Sequence, residues 1–412
     1  MLDSPNGFHA ANGKFAASLR LPLTCAEFFA GIGLMRLGLE RQGWKVVFAN
    51  DIDPEKFKMY ERHFGDEGER FIVDDIHKIS AARVPSVTLA TASFPCNDLS
   101  LAGAREGLDG AQSSAFWGFI RLLEKMRNRR PPLVLLENVT GFLTSHGGKD
   151  FNEALLALNR LGYAVDAFVL DAVNFVPQSR QRLFVVGVRD ASTSKAASSL
   201  DKVEHFARPK ALLDFISKHT NIRWRLRSLP PLPQRTITLN DILEDLPDDA
   251  PEWWSDERSA YLFNQMSERH RAIAEQMIAG KRWCYGTVFR RMRAGRSMAE
   301  LRTDGIAGCL RTPRGGSGRQ ILFRAGRGKY RARLITPREA ARLMGANDFK
   351  LDGVPLNQAL FGFGDAVCVP VIEWIASNVL FPALNELQGF QFIRPAPRQT
   401  ASRFELASIV NE

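Results

Sequence analysis

The chain is poor in the features that would make it a secreted, zinc-bound or membrane protein. Its five cysteines, Cys25, Cys96, Cys284, Cys309 and Cys368, are odd in number and scattered over 412 residues. None forms a Cys-x-x-Cys pair or a Cys/His cluster, so neither a disulfide framework nor a structural zinc site is expected. The most apolar early stretch, residues 21–39, is broken by Glu27, Arg36 and three glycines, which makes it a poor membrane span and a poor signal segment. No internal repeat is present. A third glycine is also missing: Gly31 and Gly33 open a loop, but Arg36 stands where a pyrophosphate-binding nicotinamide fingerprint needs its last glycine. These absences leave a cytoplasmic, metal-free protein with an unusual glycine loop.

What is present is an ordinary globular composition, 45% hydrophobic and 24% charged, with a net charge of +10. A chain of this length divides into two lobes, and the positive charge favours an anionic partner. After an N-terminal arm (residues 1–20), strand and helix signals alternate over residues 21–189, which predicts a doubly wound, mostly parallel α/β sheet with ligand sites at the carboxyl ends of its strands. Residues 190–327 lose that regularity, begin with a Ser/Ala/Lys-rich linker at 191–200, and become dense in arginine from residue 281. Glycines and short apolar pieces among those arginines fit a surface laid along phosphates better than a merely solvated face. Order resumes with a helix start at Thr336-Pro337-Arg338-Glu339. The return segment is assigned to residues 328–385 and a tail to 386–412.

Chemistry-bearing residues fall at the expected strand ends. Phe29-Ala30-Gly31-Ile32-Gly33 follows the first strand, where glycines admit a ligand close to the backbone. Asp51, at the end of the second strand, suits ribose hydroxyls, and Asp74-Asp75 at the end of the third suits an adenine amino group. Together they point to an adenosine-bearing cofactor. An apolar run at 87–92 delivers Cys96 to a turn, a good place for a nucleophile, although a lone cysteine is more often a small buried hydrophobe. Glu137 ends another apolar strand, where a carboxyl group can hold a proton as readily as form a structural salt bridge. If 178–182 is extended, its period of two puts Gln178, Arg180 and Arg182 on one face, where two inward arginines need an anion or a polar ligand.

With these residues in order, the chain resembles the DNA cytosine-5 methyltransferases from Cys25 to about Leu380. Phe29 to Gly33 looks like the cofactor loop, Pro95-Cys96-Asn97 the nucleophile loop, Glu137-Asn138-Val139 the acidic motif, and Gln178-x-Arg180-x-Arg182 the paired-arginine motif. Thr336 to Gly345 is similar to the helix after the recognition domain, and Gly364-Asp365-Ala366-Val367 to the segment completing the cofactor pocket. The resemblance implies a Rossmann-like S-adenosylmethionine-dependent methyltransferase fold with an irregular target recognition domain. It implies an enzyme that methylates C5 of a flipped cytosine in double-stranded DNA through a Cys96–C6 adduct. Phe29 and Ile52 would sandwich the adenine, Asp51 hold the ribose and Asp75 the amino group, with Gly31, Gly33, Pro95, Asp365 and Ala366 completing the cofactor site. Glu137 would contact N3 and the exocyclic amine, Arg182 the O2, and Arg180 would support them from beside; Gln178 is grouped with the DNA-contacting residues.

Three departures stand out: Asn97 replaces a glutamine, Glu27 an aspartate, and Asp365 an asparagine. Arg314-Gly315-Gly316-Ser317-Gly318-Arg319-Gln320 suits a loop in the major groove, because arginine pairs with guanine and glutamine with adenine, but it equally suits a loop that touches only phosphate. The expected partners are duplex DNA and, acting separately, a cognate restriction endonuclease, with the enzyme itself a monomer. An RNA cytosine methyltransferase, a silent DNA-binding relative and a nicotinamide oxidoreductase are the rival readings.

Overall fold

The computed structural model describes residues 22–65, 68–95, 114–189, 206–293, 295–312 and 318–388. The expected arm, the linker at 191–200, Cys96, residues 314–317 and nearly all of the expected tail lie outside the described residues.

Seven strands build the main sheet: β1 (Thr24–Phe28), β2 (Lys45–Asp51), β3 (Phe71–Val73), β4 (Leu89–Ala92), β5 (Leu133–Asn138), β6 (Tyr163–Asp171) and β7 (Gln181–Arg189), in the order β3-β2-β1-β4-β5-β7-β6. The first five strands run parallel, and β7 is antiparallel to both β5 and β6. Near-continuous apolar strands such as Leu133 to Leu136 form because both faces of the sheet are covered. Alternation then sorts the side chains: Leu133 and Leu135 join one core, Val134 and Leu136 the other.

Helix α1 (Leu34–Arg41) lies against the first face, α2 (Pro54–Phe64) follows β2, and α3 (Ala115–Met126) and α4 (Lys149–Arg160) cover the second face. The start of α2 is specified locally, since Asp53 accepts from the Glu55 and Lys56 amides and Pro54 occupies the first turn. Residues 206–243, expected in the irregular lobe, pack instead on the main sheet. From α5 (Lys210–Lys218), Leu212, Phe215 and Ile216 enter the second core. Leu229, with Leu239 and Ile242 of α6 (Leu239–Ile242), enters the first. The edge strand β6 explains part of this, because Val165 donates to the Arg223 carbonyl and bridges Trp224, which covers an otherwise open edge.

The second lobe has its own core between α7 (Asp256–Asn264), α8 (Glu268–Ala279) and an antiparallel sheet of β8 (Cys284–Arg293), β9 (Arg296–Arg302), β10 (Ile321–Gly326) and β11 (Lys329–Leu334), ordered β11-β10-β8-β9. The expected start of the return segment at residue 328 is therefore too early. Six residue pairs tie β11 to β10, and the chain leaves this sheet only at Ile335. The return then supplies α9 (Pro337–Leu343), α10 (Leu356–Asp365), α11 (Val369–Ile375) and α12 (Phe381–Gln388). The run Leu356–Leu387 is long and apolar enough to cross a bilayer, but most of it is buried against the first face of the main sheet.

One fully buried ion pair joins the strands to the segment laid over them: Arg208 Nη2 lies 2.8 Å from Asp166 Oδ1 and also donates to the Arg227 carbonyl. Asp166→Ala leaves the guanidinium uncompensated and should cost about 3–5 kcal/mol in chemical denaturation, whereas Asp166→Leu combined with Arg208→Met should recover most of that loss.

Candidate active site

A cavity of about 480 Å³ opens at the carboxyl ends of β1, β2, β3, β4 and β5, and the end of α10 closes one side. Its first wall is the loop after β1. Gly33 caps α1 at φ 83°, and a Cβ there would lie 2.4 Å from Phe64 and 2.8 Å from Tyr60, so both conformation and space demand glycine. Phe29 also has a positive φ, 58°, in a turn that the Ala30 amide closes on the Asn50 carbonyl. Asp51 organises the next turn: its Oδ2 accepts from the Gly31 amide at 2.8 Å and its Oδ1 from Asp53 at 2.9 Å. Burial pushes this carboxyl up. Ile52 stands 66% exposed at the rim, an apolar surface available to a flat ring. Asp75 lines the far end and accepts from the His77 amide.

Glu27 forms part of the floor. It is almost wholly buried; Oε1 accepts from the Arg36 amide at 3.2 Å, while Oε2 has no partner. Burial, opposed by Arg36, pushes its carboxyl up to about 8. Arg36, known from the sequence only as a missing glycine, is itself buried, pairs with Glu40 at 2.8 Å and lies over the Phe64 ring. An acid in a buried strand was the one local signal of this arrangement.

The opposite end of the cavity holds Glu137 and Arg182, with Nε of the arginine 3.0 Å from Oε1 of the glutamate. Asn138 donates to the Phe94 carbonyl at 3.2 Å, which fixes the end of β5 beside the segment that leads through Pro95 to residue 96. Pro95 and Ala366 line the cavity. Asp365 does too, and its carboxylate meets Lys56 Nζ at 2.7 Å and the Thr312 hydroxyl. Lys56 was not singled out by the sequence, although its place in the first turn of α2, after Asp53, was a usable signal.

The paired-arginine segment is not one inward face. The strand begins at Gln181, and residues 178–179 instead join the Ala307 segment, so the period-of-two argument fails there. Arg180 is buried and does not line the cavity; it donates to Leu310 and Gly364 carbonyls at 2.8 and 3.0 Å, to Ala366 at 2.5 Å, and to Cys309 Sγ at 3.2 Å. It supports the site from beside. Burial raises the Cys309 thiol, but Arg180 and Arg182 outweigh it and draw the thiol below its usual range.

Two residues grouped with DNA contact are corrected. Gln178 has no exposed surface, and its amide is consumed by the Leu343 carbonyl and the Leu310 amide, at 2.7 and 3.0 Å. Gln320 is turned inward to accept from the Gly308 amide at 3.1 Å. Arg319 remains half-buried and donates to Asn357 at 2.8 Å.

Glu27 gives this site a pH signature. Its folded pKa lies above the unfolded one, so the folded state binds the extra proton and stability falls as pH rises from the carboxylate range through about 8. Glu27→Gln should therefore raise the melting temperature of the ligand-free protein above pH 8, and the gain should shrink toward the ordinary carboxylate range. A gain independent of pH would contradict this account.

Comparison with known proteins places this site in a family. The model of the C-5 cytosine-specific DNA methylase matches residues 23–380. Type II methyltransferase M.Bsp6I of Bacillus sp. (strain RFL6) is 28% identical over 365 residues, covering 87% of this chain and 98% of that protein. M.HhaI of Haemophilus parahaemolyticus is 26% identical, over 86% and 93% of the two chains. M.BsuFI of Bacillus subtilis reaches 36%, over 45% of this chain and 44% of its own length. Among solved structures, S. pombe Dnmt2 methyltransferase superposes with a TM-score of 0.57 at 18% identity, over 89% of this chain and 99% of that one. A putative DNA modification methyltransferase encoded within an E. coli prophage gives 0.52 at 20% identity, over 88% and 99%. The glycine-loop cavity and its Glu137–Arg182 end therefore belong to a Rossmann-like methyltransferase fold, and the chain is a member of the C-5 cytosine-specific DNA methylase family.

Proposed function

We propose that this chain transfers a methyl group from S-adenosylmethionine to C5 of one cytosine within a short sequence of duplex DNA. The observation that carries the reading is a single cavity with an acid-lined glycine loop at one end and the Glu137–Arg182 pair at the other. The lining suits the donor: Ile52 offers an apolar face to adenine, Asp51 and Asp75 are acceptors, and the unpartnered Glu27 oxygen favours a cationic ligand. When bound, S-adenosylmethionine supplies an electrophilic methyl group.

The remaining work falls to the chain. A cytosine inside a duplex cannot reach such a cavity, so it must swing out of the stack, at a cost of about a few kcal/mol. Glu137 then holds N3 and the exocyclic amine, and Arg182 holds O2, where negative charge develops. The Cys96 thiolate adds to C6, the ring electron pair makes C5 nucleophilic, and C5 takes the methyl group as its bond to sulfur breaks, which would leave S-adenosylhomocysteine. Loss of the C5 proton expels the thiolate and restores the aromatic ring. Arg180 positions both the 309–310 and 364–366 segments beside this site. The Type II names of the relatives support a role alongside a separate endonuclease that cuts the same sequence, in the cytoplasm where the DNA lies.

Base-resolution mapping of 5-methylcytosine in a methylation-free bacterial host tests the reading. Wild type should mark one short sequence, and Cys96→Ala should leave no marks while retaining donor binding. DNA left unmarked by a folded, donor-binding wild type would overturn the proposal. Placing 5-fluorocytosine at the mapped target should trap a covalent complex through Cys96, because the fluorine cannot leave as a proton.

A further inference from the structure

Several arginines of the second lobe already meet a carboxylate. Arg293 lies 2.7 Å from Glu300, Arg302 2.6 Å from Asp304, Arg324 2.8 Å from Asp248 and Arg333 2.5 Å from Glu339. Three others are gathered together with no such partner among the described residues: Arg258 on α7, Arg290 on β8 and Arg319 just before β10.

The strand register explains their proximity. Ile321 faces Val288 across β10 and β8, and both are buried under the helices of this lobe. Arg319 and Arg290 each stand two residues beyond that last pair, past the end of the ladder where the apolar cover ends. The residues leading into α7 are fixed on this sheet, the Trp254 amide donating to the Ala332 carbonyl of β11, and Arg258 lies over the Trp254 ring at 4.0 Å. Burial and then the charges of Arg290 and Arg319 hold the Arg258 guanidinium below its usual range. Among the described residues Arg319 donates to the neutral Asn357 amide, and its buried Nε has no partner. Like charges brought together are destabilising, so this cluster costs the free protein stability unless an anion fills it.

The structure assigns to Arg258, Arg290 and Arg319 a phosphodiester-binding site on the second lobe, one that grips the DNA backbone rather than reading a base. This rests on the DNA-methylating function proposed above and resolves the two roles that the sequence left open for Arg319. Its position follows from α10: Asn357, bonded to Arg319, sits in the first turn of that helix, and Asp365 at its other end lines the donor cavity. Eight residues of helix span about 12 Å, so Arg319 contacts α10 about that far along the helix from the donor cavity.

The test uses the full-length protein, S-adenosylhomocysteine, and two fluorescent duplexes of mixed sequence, one containing the mapped target and one lacking it. Arg258→Gln, Arg290→Gln and Arg319→Gln should each weaken binding to both duplexes alike, by about tenfold at low salt. Each should reduce the slope of log affinity against log salt by about 1, with the free protein's melting temperature not lowered and the mapped sequence unchanged. Methylphosphonates placed one at a time along the duplex should, at one position near the target, weaken the wild type similarly and abolish the difference between it and the variants. Variants that bind as the wild type does while the wild type methylates DNA would overturn this site and leave the proposed function standing. Loss confined to the target duplex would make Arg319 a base reader and also overturn it. A wild type that neither binds nor methylates either duplex would overturn the function and this site together.

Discussion

Arg180 places a buried positive charge where three parts of the chain meet, and the geometry of the active site follows from satisfying it. Burial works against the charged guanidinium, so its N–H groups must find strong acceptors. They find Leu310 on the connection from β9 to β10, and Gly364 and Ala366 at the end of α10. These segments are far apart in sequence, and one side chain brings their carbonyl groups together. Gly364 completes the joint, because a Cβ there would lie 2.6 Å from the Arg311 carbonyl carbon and 2.7 Å from the Thr312 nitrogen. Arg180 therefore braces the cavity without facing it, by holding together segments at its wall.

A second constraint is the distribution of carboxylates around the donor cavity. Asp51 and Asp75 spend oxygens on backbone amides, Asp365 is paired with Lys56, and Glu137 with Arg182. Only Glu27, among these, keeps a buried oxygen without a partner. Its neighbour Arg36 is too committed to Glu40, Tyr60 and the Phe64 ring to neutralise it fully. A cavity built this way suits the cationic sulfonium donor proposed above. Ligand recognition and the cost of an empty cavity thus have one origin.

The second lobe shows the same economy in its arginines. Raw positive charge suggested a surface spread along phosphate, yet pairing with Glu300, Asp304, Asp248 and Glu339 consumes much of it inside the fold. Cation–π contacts of Arg324 with Trp283 and of Arg333 with Trp253 hold others against the lobe. Charge composition thus indicates an anionic partner, while pairing decides which arginines remain to meet it.

By itself the sequence determined the order of strands and helices in the first lobe, the strand-end positions of Gly31, Asp51, Asp75 and Glu137, and the helix start at Thr336. Each rests on local chemistry: an alternating apolar pattern, a glycine at positive φ, or the reciprocal capping of Thr336 and Glu339. The tertiary structure alone decided what depends on distant partners. It turned Gln178 and Gln320 inward to backbone groups, made Arg180 a brace, set Lys56 on Asp365, and drew residues 206–243 onto the main sheet. A polar side chain looks the same in sequence whether it meets solvent, substrate or a buried carbonyl. Only packing decides which of these it meets, because burial forces it to take whatever donor or acceptor the fold brings within reach.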